Sequence, residues 1–208
     1  VLLQAVSHGT DNADVAQYDT ASATIALHLH VHAFFEGHEV QSLTWNSGPL
    51  YQRVPGFRAH AVAPGGRWRF WTYVTAGCWD AVNDDGHGME FVIATKEFTM
   101  RAVEVLAMTA FFHAGSPHQR LDLGHTVTIG EPWLPGSPSD QALISLPYPW
   151  GPDLEVCGWE GGHARLLWLL PITQAEREFK RTEGVEALEQ RFEDRQCDYT
   201  DPHRPSVV

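Results

Sequence analysis

Cysteine, cationic side chains and long apolar runs are all scarce in this 208-residue chain, and each scarcity removes a class of protein. The three cysteines, Cys78, Cys157 and Cys197, are far apart and odd in number, so they form neither a CxxC pair nor a disulfide framework. Reduced, buried thiols in a cytosolic compartment are the expectation. No stretch approaches the roughly eighteen apolar residues of a membrane span, and the opening VLLQAV is too short for a signal-peptide core. The chain therefore reads as soluble and cytoplasmic, although it opens on Val1 without an initiator Met and what preceded it is open. Lys and Arg number 14 against 26 Asp and Glu, a formal net charge of -12. That field repels nucleic-acid phosphates and anionic membrane surfaces, which excludes direct binding to either, and it would steer a cationic protein partner. The charge fits equally a generally acidic soluble protein and one selected for such a partner.

Catalytic signatures are missing as well. There is no G-x-S-x-G elbow, no G-x-x-x-x-G-K-[ST] loop and no G-x-G-x-x-G fingerprint, so no catalytic residue and no cofactor is assigned and the chain is not expected to be an enzyme. His28, His30 and His32 form HLHVH, with His38 nearby. On a helix His28 and His32 share a face, the spacing metal sites use, but the HExxH glutamate is absent and no metal site is assigned. A partly exposed helix face whose imidazoles titrate at about pH 6 to 7 is the competing reading. A metal-dependent hydrolase is the weakest of the functional alternatives.

What the chain does have is core material. Hydrophobic residues make up 43% and aromatics 11%, including 8 Trp, enough for one large domain or two small ones. Residues 1–20 are polar and aperiodic and read as a disordered arm; residues 21–208 read as a single domain. A helix is expected from Ser22 to Glu36, with Ile25, Leu29 and Ala33 as its apolar stripe and Gly37 as its stop. Val40 to Pro55, with its Gly-Pro and Pro-Gly pairs, reads as an extended connection. Strands follow at Phe57–Val62, Arg69–Ala76 and Met89–Ala94, separated by turn signals as in an antiparallel meander. Met100, Val103, Leu106, Ala107, Ala110 and Phe111 then mark a helix from Thr99 to His113. A second β region is expected at Thr126–Ile129, Ala142–Leu146, Leu154–Cys157 and Ala164–Leu170, the last stopped by Pro171. Thr173 and Glu176 have capping-box spacing for a final helix interrupted near Gly184. This irregular interleaving points to an α+β fold on a mixed, mainly antiparallel sheet.

Leu121 to Glu155 is the most distinctive stretch: LDLGHTVTIGEPWLPGS followed by LISLPYPWGPDLE. His125 beside Gly124 could tie a turn to a backbone carbonyl or touch a partner. Trp133 and Trp150, flanked by prolines, either staple loops to the body or anchor a binding surface. Together with TYVTAGCWD (Thr72 to Asp80), LLWLLPITQAERE (Leu166 to Glu178) and EGVEALEQRFE (Glu183 to Glu193), this stretch resembles the suppressor-of-fused family, in particular its bacterial members. The resemblance implies the same α+β architecture and a protein-binding role without enzymatic chemistry. It also implies an immunity protein that neutralises a cognate toxin domain by occlusion; the alternative is a regulatory scaffold that sequesters a signalling or transcription protein by β-strand addition. In eukaryotic relatives this region clasps an extended peptide, and an acidic side chain that some of them place before the histidine is Gly124 here. Strand addition needs only backbone, so Thr126, Val127, Thr128 and Ile129 are the expected docking edge, with His125, Trp133, Trp150 and Asp153 as further candidate contacts.

Overall fold

The computed structural model describes residues 13–45 and 47–208, with side chains from Ala23 onward. The first helix, α1 (Ala13–Phe34), starts before the expected Ser22, and the remainder of the expected arm lies outside the described residues. Its buried stripe is also different. Ala23, Leu27, Val31 and Phe35 face inward, while Ile25 and Leu29 are 60% and 61% exposed and Ala33 is exposed with them. Apolar residues lie on two faces of this helix, and the stripe that ends on Phe35 wins because that ring packs against Trp68, centroids 5.1 Å apart.

The stretch expected as a plain connection holds β1 (Val40–Leu43) and a turn of helix, α2 (Leu50–Arg53). The meander follows as β2 (Arg58–Val62), β3 (Trp71–Ala76), a short α3 (Cys78–Ala81), β4 (Asn83–Asp84) and β5 (His87–Thr95). Next comes α4 (Met100–His113), its first turn capped by the Thr99 hydroxyl, which accepts from the Arg101 N–H at 3.1 Å. Beyond it lie β6 (Thr126–Thr128) and β7 (Ser139–Ser145). The expected strand at 154–157 is displaced: Gly151, at φ 94°, and Pro152 start the helical turn α5 (Pro152–Glu155), and β8 (Val156–Trp159) comes after it.

The longest strand, β9 (Gly162–Thr173), runs through Pro171 instead of stopping there. Its parallel partner β5 pairs only as far as Trp168, while β7 pairs antiparallel on the other side up to Thr173. Pro171 thus sits beyond the reach of β5, where no ladder requires its missing N–H, and its carbonyl accepts from Arg204 Nη2 at 2.8 Å. The capping box is present, Thr173 and Glu176 exchanging bonds across the first turn of α6 (Gln174–Glu183). Gly184, at φ 97°, then breaks the chain before α7 (Val185–Asp194).

The sheet order is β1-β2-β3-β5-β9-β7-β6, with β4 added to β5 and β8 to β9; it is mixed and mainly antiparallel. Period-two alternation sends Phe91, Ile93, Leu167 and Leu169 to the face covered by α4, and Val92, Leu166, Trp168 and Leu170 to the face covered by α1 and α7. Among the described residues no helix is long and apolar enough to cross a membrane.

Candidate functional site

The geometry around β6 is set by its turn. Gly124, at φ 80°, lets the chain reverse, and its N–H donates to the Ile144 carbonyl at 2.8 Å. His125 ties the same turn, its N–H donating to the Asp122 carbonyl at 2.9 Å. Its Nδ1 accepts from the Asp122 N–H at 3.1 Å, so the imidazole serves as an acceptor for an N–H and not as a donor to a carbonyl. Bonds at His125 and Ile129 then place β6 in register with β7, Val127 opposite Ala142. Alternation directs the backbone groups of Thr126 and Thr128 away from β7, at the end of the sheet. Val127 and Ile129 point inward under α4, and Thr128 is exposed.

Beside this edge runs an apolar groove of about 250 Å³ between β6 and the last two turns of α4, lined by Val105, Met108, Phe111, Phe112, Val127 and Ile129 among others. Arg53 closes one side, its guanidinium 3.8 Å from the Phe111 ring centroid and donating to the Phe111 carbonyl at 3.0 Å. Five of the expected contact residues, His125 to Ile129, therefore come together at one place.

The other three do not. Trp133 is 2% exposed and packs in the core beneath α4, its backbone N–H donating to the Ser139 carbonyl and its own carbonyl accepting from Arg101 Nε at 3.3 Å. Trp150 is 1% exposed on the opposite face, its indole N–H donating to the Thr72 hydroxyl at 2.9 Å and its ring edge-on to Phe70 and Trp168. Both indoles fasten irregular loops to the sheet, and neither presents an anchor to solvent. Asp153 is exposed on α5, on the α1 side of the sheet.

A second concavity, of about 800 Å³, lies between α7 and the ends of β7 and β9. Glu186, Glu189 and Glu193 wall it, and Tyr148, Phe192 and Tyr199 supply aromatic surface. Glu189 is held in place by Ser145, whose hydroxyl donates at 2.6 Å, and by the Tyr148 hydroxyl at 3.3 Å. Partial burial, then the charge of Glu189, pushes the Tyr148 phenol up from its ordinary range. Sequence reasoning missed this groove, although glutamates at positions 186, 189 and 193 follow one helix face and were the available signal.

Glu90, Glu176 and Arg204 in the interior are committed to structure. Glu90, raised by burial to about 7, accepts from the Thr75 hydroxyl at 2.5 Å and from the N–H groups of Gly77 and Trp79 at 2.9 and 3.0 Å. Glu176 and Arg204 form a buried bidentate pair at 2.7 and 2.9 Å. Burial alone would raise Glu176, but the hydrogen bonds and charge of Arg204 outweigh it and hold the carboxyl below its ordinary value. The Cys78 and Cys157 thiols are buried, Cys157 pushed up to about 11 by desolvation and then by Glu90. His28 and His32 do share a face of α1, and the third imidazole beside them is His60 of β2.

Comparison with known proteins agrees with this fold. The suppressor of fused protein family matches residues 55–205. The chain is similar to a protein described as a suppressor of fused homologue from Neisseria gonorrhoeae FA 1090, at 36% identity and a TM-score of 0.77, over 89% of this chain and 97% of that one. Its fold is also similar to that in the crystal structure of the Sufu–Fu complex, at 13% identity and a TM-score of 0.67, over 89% of this chain and 92% of the other. Drosophila Suppressor of Fused shares the fold at 12% identity and a TM-score of 0.57, over 89% of this chain and 51% of that one. No curated protein matches the sequence.

Proposed function

We propose that this chain, which belongs to the suppressor of fused family, captures an extended segment of a cationic protein on the outer edge of β6 and neutralises that protein, a cognate toxin domain, by occlusion. The observation that carries the reading is the pairing of an outward-facing strand edge at Thr126 and Thr128 with an apolar groove next to it. Backbone bonds along the edge would supply affinity, and the groove would take an alternate side chain of the added strand. Net charge of -12 and the glutamate-walled concavity support a cationic partner, whose approach they would accelerate. Occlusion asks for no chemistry, in keeping with a family of protein-interacting domains and with a Glu90 whose oxygens are already spent on Thr75, Gly77 and Trp79.

Strand addition equally serves the regulatory reading, in which the captured protein is a signalling or transcription factor. Proteins that co-purify with the chain from its native host, identified by mass spectrometry, separate the two partner classes. Thr128→Pro tests the mode: it removes an outward N–H and leaves the backbone bonds to β7 intact, losing only the hydroxyl's bond to Gln141, which Thr128→Val removes alone as the control. Binding of the purified partner should fall by more than about tenfold, 1.4 kcal/mol, while the variant keeps the parent's circular dichroism. Unaltered affinity in a folded Thr128→Pro protein would move the docking site away from β6.

A further inference from the structure

We propose that His28, His32 and His60 form a binding site for one divalent transition metal ion of the Zn²⁺ class, with the fourth coordination position open to water or an exogenous ligand. The three residues come from two elements. His28 and His32 lie one turn apart on the exposed side of α1, and His60 lies on β2, directly opposite Ser42 of β1 and Val74 of β3. One potential ligand atom from each imidazole lies within 4.8 Å of the other two. With Zn–N distances of about 2.0 to 2.1 Å, three nitrogens around a tetrahedral ion sit roughly 3.3 to 3.4 Å apart. The remaining gap is small enough for rotation of the two exposed histidines to close it.

His60 makes this more than a chance cluster. It is 4% exposed, so its ring is fixed, and its Nδ1 is buried without a hydrogen-bond partner. Few buried imidazole nitrogens go unpaired in folded proteins, His113 Nε2 being the other among the described residues, and His60 is the one with two further imidazoles beside its ring. The rings are tilted and do not stack: His28 and His32 have centroids 4.2 Å apart at 48°, and His60 lies 5.5 and 6.3 Å from them at 55° and 77°. Burial, reinforced by His28, His32 and Arg58, lowers His60 to about 4. An all-imidazole donor set suits zinc, nickel and copper and discriminates against magnesium and calcium. His30 takes no part, since its Nε2 is engaged with the Leu154 carbonyl at 3.0 Å.

The test uses untagged, chelator-treated protein titrated with Zn²⁺ by calorimetry and with Co²⁺ by visible absorption. One equivalent of Zn²⁺ should bind, and Co²⁺ should give the intense d–d bands of a four-coordinate site. His28→Ala and His32→Ala remove exposed side chains without touching the core, and each should weaken Zn²⁺ at least about tenfold, the scale on which even outer-shell partners of a metal act. His60→Gln should abolish the site. His87→Ala, at the separate His87–His163 contact, should leave binding unchanged. Failure of both ions to bind, or a bound equivalent that survives in both His28→Ala and His32→Ala, would overturn the proposal whether or not the His60 variant folds.

Discussion

The two faces of the sheet are closed in different ways. Under α4 the closure centres on one long helix, whose Ala102, Val103, Leu106 and Ala110 share a core with the strand residues Tyr73, Phe91 and Ile93, while Leu50 of α2 and the loop residue Trp133 fill in beside it. The opposite face has a composite cover: α1, the loop that carries Trp150, α6, α7 and the chain end up to Val207. Polar groups from distant segments hold that cover down. Trp150 donates to Thr72, Trp68 to the Pro149 carbonyl at 3.3 Å, Trp79 to the His163 carbonyl at 3.0 Å, and Arg204 clasps Glu176. A face centred on one long helix keeps most of its packing when one contact is lost, whereas the composite face depends more on a few bonds between remote residues.

The sharpest way to break the composite face is Arg204→Ala. It strands the buried Glu176 carboxylate and frees the chain end, whose Val207 N–H also bonds that carboxylate at 3.0 Å. Urea denaturation should show a loss of about 3–5 kcal/mol, the usual cost of removing one partner of a buried pair. A loss below about 1 kcal/mol would mean that the pair is replaceable by water and that hydrocarbon alone holds this face.

Glu90 of β5 lies beside the end of β3, and burial raises its pKa from 4.5 to about 7. Because the folded state holds this proton more tightly, the contribution to stability is complete below about pH 4.5 and is lost as pH rises through about 7. The displacement corresponds to about 3 kcal/mol. Glu90→Gln keeps an acceptor for the Gly77 and Trp79 N–H groups and does not titrate. Its stability relative to the parent should therefore climb by about 3 kcal/mol between those two pH values, as read from urea midpoints at successive pH. A constant offset would place the burial cost of the charge elsewhere.

The finest comparison sets Trp150→Phe against Trp133→Phe, one on each face. Both lose similar volume, but only the first strips the buried Thr72 hydroxyl of its indole partner. Trp150→Phe should be the more destabilising by about 1–3 kcal/mol in thermal or chemical melts. Equal losses would show that the indole bond on the composite face adds nothing beyond packing.

What could be read from the sequence follows the same division. The α4 helix, the β2–β3–β5 meander and the Thr173–Glu176 box are local patterns, and each appears where the residues predicted it, except that Met100 of the expected α4 stripe is exposed. Failures came where two local solutions compete or where a partner is remote. Ile25, Leu29 and Ala33 form as good a stripe as Ala23, Leu27, Val31 and Phe35, and only the position of Trp68 decides between them. Pro171 reads as a strand breaker until it is known that β5 ends its pairing at Trp168. At the candidate site, the edge from His125 to Ile129 was legible because Gly124 and the β-branched run mark a turn and a strand. The groove beside it needs α4 packed above, and the glutamate-walled concavity needs α7 against β7, neither of which spacing along the chain can supply. His60 was invisible for the same reason, 28 positions of sequence separating it from His32.

The parallel pairing of β5 with β9 also governs how the chain assembles. His87 meets His163 and Val92 meets Trp168, so the central ladder joins segments separated by most of the second half of the polypeptide. Closing so long a loop is entropically costly before any contact rewards it, and topologies of this kind fold slowly. On the ribosome the meander of β1, β2, β3 and β5 emerges early, but the β5 edge must wait until α4, β6 and β7 have been synthesised. During that interval α4 can cover only the face that carries Phe91 and Ile93, and the open β5 edge remains able to pair with another chain until β9 fills it.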